Sequence, residues 1–162
     1  IKEIIGELED SKKNLYTDNC ILNSVLNIKY SAAQVADIKI ESNIFVPKYM
    51  NIDYGDMGVL FGNLLDNAIE ANQGVDRKKR WINVSVKYEE HILIINIKNS
   101  KIRGSRRKKK GYLNHGIGLN SVKQIVEKFN GIVEVQDFGE MYEVSAILYG
   151  ICDDKDLGKS VL

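Results

Sequence analysis

GNLLDNAIEAN, residues 62–72, lies inside an apolar-periodic run from about Asp53 to Gln73. Leu60, Phe61, Leu64, Leu65, Ala68 and Ile69 recur there at helical intervals, so one side of a predicted helix faces a core. Asn63, Asp66, Asn67 and Glu70 recur at i, i+3, i+4 and i+7 and line a second stripe of the same helix. Four side-chain oxygens thus become neighbours. Amide carbonyl oxygens are hard, neutral ligands, suited to a magnesium ion that keeps several waters and takes its other ligands from phosphates. In isolation, the stripe reads more readily as a solvated polar face.

A second stretch, NHGIGLNSVKQIVEKFNG at 114–131, changes that balance. Gly116 and Gly118 flank Ile117 just before a helix predicted from about Leu119 to Asn130, with Val122, Ile125, Val126 and Phe129 on its buried side. Glycine at a helix entrance lets backbone amides approach an anion, and the unpaired N–H groups and helix dipole favour negative charge there. The segment is therefore a candidate phosphate seat. A lone GxG is weak evidence, because tight turns before helices use the same residues, and this is not the six-position dinucleotide fingerprint. No strand immediately precedes it, which argues against a Rossmann unit or a P-loop.

Together the two stretches resemble a family. The asparagine-rich helix is similar to the N box, and HGIGL to the second glycine box, of GHKL ATPases. The wording LLDNAIEA followed by NHGIGL most resembles peptide-sensing, quorum-sensing histidine kinases of the accessory-gene-regulator type. The resemblance covers about residues 17 to 149. It implies the catalytic, ATP-binding part of a two-component sensor, which phosphorylates a histidine on a dimerisation helix. Carried over, Asn63 and Asn67 would hold magnesium and triphosphate, with Asp66 and Glu70 beside them. Gly116 and Gly118, with His115, Ile117 and Leu119, would line the phosphates.

Departures from the family pattern are informative. Many GHKL proteins read adenine with an aspartate in a DxGxG box after a strand; here the matching residues are Asn99, Ser100, Lys101, Ile102 and Arg103. Asn99 can still accept a hydrogen bond from the adenine amino group through its carbonyl oxygen. Weak but real nucleotide binding is the expectation. Many kinases place a cation three residues after the second asparagine, whereas this chain has Glu70. The segment RGSRRKKK, 103–110, carries six positive charges and lies where the family places its mobile ATP lid. The resemblance points to Lys109 and Lys110 as cations that approach the terminal phosphate. Read alone, the same run suits a solvated loop, nucleic acid or acidic lipid.

Position 63 bears on the reaction. GHKL hydrolases of the gyrase type place a glutamate there to activate water, and the Asn63 amide cannot act as a general base. Phosphoryl transfer to a protein acceptor fits better, with alignment and charge compensation as the protein's main contribution. Asp66 and Glu70 remain candidate bases. The chain has only His91 and His115, and neither lies on an amphipathic helix as a phospho-acceptor would. His91 reads as a hairpin-turn residue, and His115 as a phosphate contact or a hinge. The acceptor is therefore expected outside the chain, and Ile1 at the start predicts a fragment cut just after the acceptor helix. Ile1, Ile4, Leu8, Leu15, Leu22 and Val25 fall on heptad positions interrupted by Ser11 and Asp18, suggesting the tail of a dimerisation helix. Ile21 and Leu26 can equally pack on the domain itself.

Composition agrees without discriminating. With 162 residues, 44% apolar and 28% charged, the chain suits one soluble domain with a real core. Net charge is +1 and the basic run holds six positive charges, so the remainder carries −5 and any nucleic-acid affinity is confined to that loop. Cys20 and Cys152 are too few for a metal knuckle or disulfide framework and suit a reducing cytosol. No apolar run approaches a membrane span, so a membrane sensor is expected upstream.

Along the chain we expect a helix to about Val35 and a strand from Ile38 to Phe45. After the asparagine helix comes a hairpin, WINVSVKY and HILIINIKN, turning at Glu89–Glu90. The glycine-box helix, a closing hairpin around Gly139 and a polar, frayed tail from Cys152 follow. The fold class is α+β, a two-layer α/β sandwich with a mostly antiparallel sheet covered by helices. Residues 1–16 read as the end of a dimerisation helix or linker, 17–150 as the catalytic domain and 151–162 as the tail. The function expected is ATP- and magnesium-dependent histidine phosphorylation, in the cytoplasmic domain of a membrane-bound, homodimeric sensor that signals to a response regulator. The alternatives are a GHKL ATPase or serine kinase controlling a transcription factor, and a basic adaptor for nucleic acid.

Overall fold

The computed structural model describes residues 14–104 and 115–157. In chain order the elements are α1 (Cys20–Val35), β1 (Lys39–Phe45), α2 (Tyr54–Ala71), β2 (Trp81–Glu89) and β3 (Ile92–Ser100). Then come α3 (His115–Lys128), β4 (Ile132–Asp137), β5 (Met141–Tyr149) and the short α4 (Asp154–Leu157). The strands form one sheet in the order β1-β2-β3-β5-β4, in which only the β1–β2 pair is parallel. The helices lie on one face of this sheet, giving the expected α+β sandwich.

Strand alternation decides which face they cover. Val84 and Val86 of β2, Ile95 and Ile97 of β3 and Ala146 and Leu148 of β5 are all buried. They meet Leu60, Phe61, Leu64 and Leu65 of α2, Leu22 and Leu26 of α1, and Val122 and Val126 of α3 in one core. Each such side chain contributes roughly 1.5–3 kcal/mol by leaving water. On the other face, Asn96 donates to Glu143 and Ser145, and Lys98 pairs with Glu143, so that side stays polar. Leu22 and Leu26 belong to the domain core, and Leu15 is exposed. Of the heptad positions, Ile1, Ile4 and Leu8 lie outside the described residues.

Local chemistry sets the helix ends. The Asp53 carboxylate accepts from the amides of Gly55 and Asp56 and starts α2. Beyond α2, Gly74 adopts φ +88°, where any Cβ would meet Ile102 at 2.8 Å. The β2–β3 turn is centred on Glu90 and His91, with φ of 46° and 65°, one residue later than expected. The tail also differs from expectation, because it does not fray from Cys152. Ile151 is fully buried and its amide donates to the His91 carbonyl; Asn51 and Cys152 exchange backbone and side-chain hydrogen bonds.

Tyr30 supplies a test of this packing. Burial pushes its hydroxyl from 10.0 up to about 12, and that hydroxyl, though near Ser42, makes no hydrogen bond of acceptable geometry. A folded value above the unfolded one means stability that is intact below pH 10 and is lost as pH rises toward 12. The loss amounts to on the order of 2–3 kcal/mol. Tyr30→Phe is expected to keep neutral-pH stability within about 1 kcal/mol and to flatten the alkaline limb of a denaturation-versus-pH curve. An unchanged limb would place the titrating group elsewhere.

Candidate functional site

The two stretches that opened the sequence reading touch in the structure. Asn63 Nδ2 donates to the Gly118 carbonyl at 3.4 Å, and a Cβ on Gly118 would lie 3.6 Å from Asn63 Cγ. At that distance a Cβ would rest in ordinary contact with the asparagine. Helix α3 begins at His115, not at Leu119, so Gly116 and Gly118 sit in its first turn instead of ahead of it. The correction has a simple cause: first-turn amides have no intrahelical acceptor, so glycine disturbs the helix least there. First-turn amides in general can bind an anion.

Asn67 is the most informative side chain. Its Nδ2 is buried and makes no hydrogen bond among the described residues. An orphaned buried donor costs about 1–3 kcal/mol, and proteins keep such groups chiefly where something else supplies the acceptor. A phosphate oxygen is an acceptor of that kind, and the carbonyl of the same amide is a hard oxygen ligand for magnesium. The residues present therefore fit a magnesium nucleotide.

The rest of the stripe divides between neighbours. Both Asp66 oxygens lie 2.7 Å from Lys29 Nζ on α1. The aspartate is half exposed, which limits this pair to about 1 kcal/mol or less. Glu70 is exposed at the outer edge. Asn99 is buried, as the last helix-facing position of β3, and its Nδ2 donates to the Ser100 carbonyl at 3.0 Å. Leu119 is half-buried; Lys109 and Lys110 lie outside the described residues, as do the side chains of His115 and Ile117.

Sequence reasoning missed the network that holds Asn99 in place. Ser100 Oγ donates to Asn72 Oδ1, the Trp81 amide donates to Ser100 Oγ, and Asn72 Nδ2 donates to the Ala68 carbonyl at 2.9 Å. Buried and complete, it ties the end of α2 to the ends of β2 and β3. A polar residue one step past the apolar run was the available signal for Asn72. Lys101, in the place of the family's first glycine, is engaged elsewhere: its ammonium pairs with Asp137, holding that carboxyl below its usual range, and its amide donates to Glu140. A hollow of about 660 Å³ opens nearby, lined by Gly74, Trp81, Ser100, Ile102, Arg103 and Met141. Neither Asn63, Asn67 nor Asn99 lines it, so its size does not make it the nucleotide site.

Asn63, in contact with the start of α3, and Asn67, one turn further along α2 with an unpaired Nδ2, are the residues of the two stretches that the structure brings to one place. A family model described as the GHKL domain matches residues 52–148, more than half of the chain. The probable C4-dicarboxylate sensor kinase of Bacillus subtilis (strain 168) is 32% identical over 95 residues, 52% of this chain and 18% of that protein. The chain thus spans less than a fifth of that relative's length. The nucleotide-free catalytic domain of histidine kinase ThkA superposes with a TM-score of 0.63 at 15% identity, over 82% of this chain and 91% of that one. Full-length ShkA in complex with AMPPNP gives 0.61 at 15% identity, over 83% and 30%. At such identity the superpositions establish the fold. The chain belongs to the GHKL domain family, and its fold is the one seen in catalytic domains of histidine kinases.

Proposed function

We propose that the domain binds magnesium-ATP between α2 and the start of α3 and passes the γ-phosphoryl group to a histidine on a helix outside residues 1–162. The observation that carries this reading is the orphaned Nδ2 of Asn67, one turn along α2 from Asn63, which contacts the start of α3. Asn67 and Asn63 would hold the magnesium ion through their carbonyl oxygens, while Asn67 Nδ2 donates to a phosphate oxygen. When bound, the ion offsets charge on the β- and γ-phosphates. The first-turn amides of α3, at Gly116 and Gly118, take another phosphate. Asn99, with Nδ2 already directed to Ser100, presents Oδ1 to the adenine amino group. Lys109 or Lys110 compensates charge at the γ-phosphate.

In the transfer itself, an imidazole nitrogen of the acceptor bonds to the γ-phosphorus as the bond to the β–γ bridging oxygen breaks, and ADP departs with that oxygen. Asp66, paired with Lys29, serves orientation better than proton abstraction. The LLDNAIEA and NHGIGL wording supports membership of the peptide-sensing, accessory-gene-regulator type. In that setting the domain lies on the cytoplasmic side of a homodimeric membrane sensor and acts ahead of a response regulator. Among the described residues no helix is long and apolar enough to cross a membrane.

The test supplies γ-labelled ATP, magnesium and a separate acceptor-histidine helix. An acid-labile, alkali-stable label on the helix is expected; label released only as inorganic phosphate would identify a hydrolase instead. Asn99→Ala is expected to weaken nucleotide binding about three- to tenfold in a calorimetric titration, as one neutral hydrogen bond is lost. An unchanged isotherm would mean that adenine is read elsewhere.

A further inference from the structure

At the other end of β3, roughly 25 Å from Asn99 by strand rise, three potential metal ligands converge. A ring nitrogen of His91, the Sγ of Cys152 and a carboxylate oxygen of Asp156 all lie within 4.8 Å of one another. We propose that these residues form a site for a divalent transition-metal ion of zinc's class, stapling the 150–157 segment to the β2–β3 turn.

The donor set selects the ion. One imidazole, one thiolate and one carboxylate suit zinc, whereas magnesium and calcium take all-oxygen shells. Zinc bonds of these three types imply ligand separations of roughly 3.3–3.8 Å in a tetrahedron. His91 Nδ1 is already 3.3 Å from Asp156 Oδ2. Closing the trio requires side-chain movement of about 1 Å. His91 and Asp156 are both partly exposed, which leaves water access for a fourth ligand.

The positions are held by contacts that have no need of a metal. His91 sits at φ 65° in a two-residue turn and its carbonyl accepts from the Ile151 amide; the 3.2 Å contact of Nδ1 to the Ile151 carbonyl needs a proton on Nδ1 and gives way when that nitrogen binds the ion. Cys152 is fixed by reciprocal hydrogen bonds with Asn51, and Asp156 Oδ2 accepts from the Asp153 amide. The bland reading is a His91–Asp156 hydrogen bond with an idle thiol beside it. The thiol, 3.9 Å from the Gly150 carbonyl, also lies within 4.8 Å of both the imidazole and the carboxylate, and that convergence favours the metal reading. On binding, the thiol gives up its proton to become a thiolate ligand, and the neutral imidazole carries its one proton on the ring nitrogen that faces away from the ion.

The experiment titrates zinc into the whole 162-residue chain against a chromophoric chelator, with cobalt as a spectroscopic stand-in. One zinc per chain is expected, with a thiolate-to-cobalt charge-transfer band that disappears in Cys152→Ser. His91→Ala and Asp156→Asn should each weaken zinc at least about tenfold. Cys20→Ser should change nothing. Zinc should raise the melting temperature of the unsubstituted chain and of Cys20→Ser, but not of the three ligand variants. Circular dichroism checks that each variant folds, and the two remaining ligand variants carry the test if one does not. Absence of stoichiometric zinc binding, binding that survives Cys152→Ser, or binding lost in Cys20→Ser would overturn the proposal.

Discussion

Asn67→Ala is expected to lower magnesium-ATP affinity by about ten- to a hundredfold while leaving the nucleotide-free domain as stable as before, or more stable. The two effects have opposite signs for a physical reason. In the free protein the Asn67 Nδ2 is buried without an acceptor, so its removal relieves a cost of about 1–3 kcal/mol. Alanine also favours the interior of α2 over asparagine by roughly 0.6 kcal/mol. In the bound state proposed above the same atom would donate to a charged oxygen, and a hydrogen bond to a charged group is worth about 1.5–3 kcal/mol. Calorimetry with a non-hydrolysable analogue and thermal unfolding without ligand measure the two halves separately. A domain that loses stability and keeps its affinity would show Asn67 to be a structural residue.

Gly131→Ala should produce the largest loss of stability, about 3–5 kcal/mol. Its Cβ would fall 2.2 Å from the Ile147 carbonyl oxygen and 2.6 Å from Val126 Cγ1. Neither neighbour yields readily. The Ile147 carbonyl is backbone of β5, a strand paired on both sides, and Val126 is buried in the core. The Gly131 amide also donates to the Val126 carbonyl at 3.0 Å, which fixes the exit from α3. At roughly 2–4 °C per kcal/mol for a domain of this size, the melting temperature should fall by about 6–20 °C. Denaturant midpoints at unchanged slope would confirm that the native state alone is affected. A loss under about 1 kcal/mol would mean that the β4–β5 hairpin shifts more freely than its pairing implies.

Periodic features were legible in the sequence. The α2 run predicted from Asp53 to Gln73 is observed at Tyr54–Ala71, and the alternating hairpin strands are in place, because hydrophobic period reports directly which side of an element is covered. The apposition of Asn63 and Gly118 was legible through family wording, not through spacing. What escaped depends on contacts between distant segments. Nothing local shows that Lys29 meets Asp66 across 37 residues, or that Ile151 anchors the tail beneath the His91 turn. The start of α3 was misplaced because glycine signals a turn and a tolerated first helical turn alike. Asn72 and Ser100 went unread because polar residues at element ends are usually solvated, whereas here they satisfy one another inside the core.

A single rod, α2, presents leucines to the sheet on one flank and amides to the groove on another. Rigidity at the leucines is thus transmitted to the amides at no distance. A lesion deep in the hydrocarbon interior, such as a trimmed Leu64, should register as blunted ligand capture at temperatures where the polypeptide still looks intact by circular dichroism. For the same reason, natural drift in the interior of this fold is constrained from two directions, by cohesion and by the alignment of the asparagines it carries.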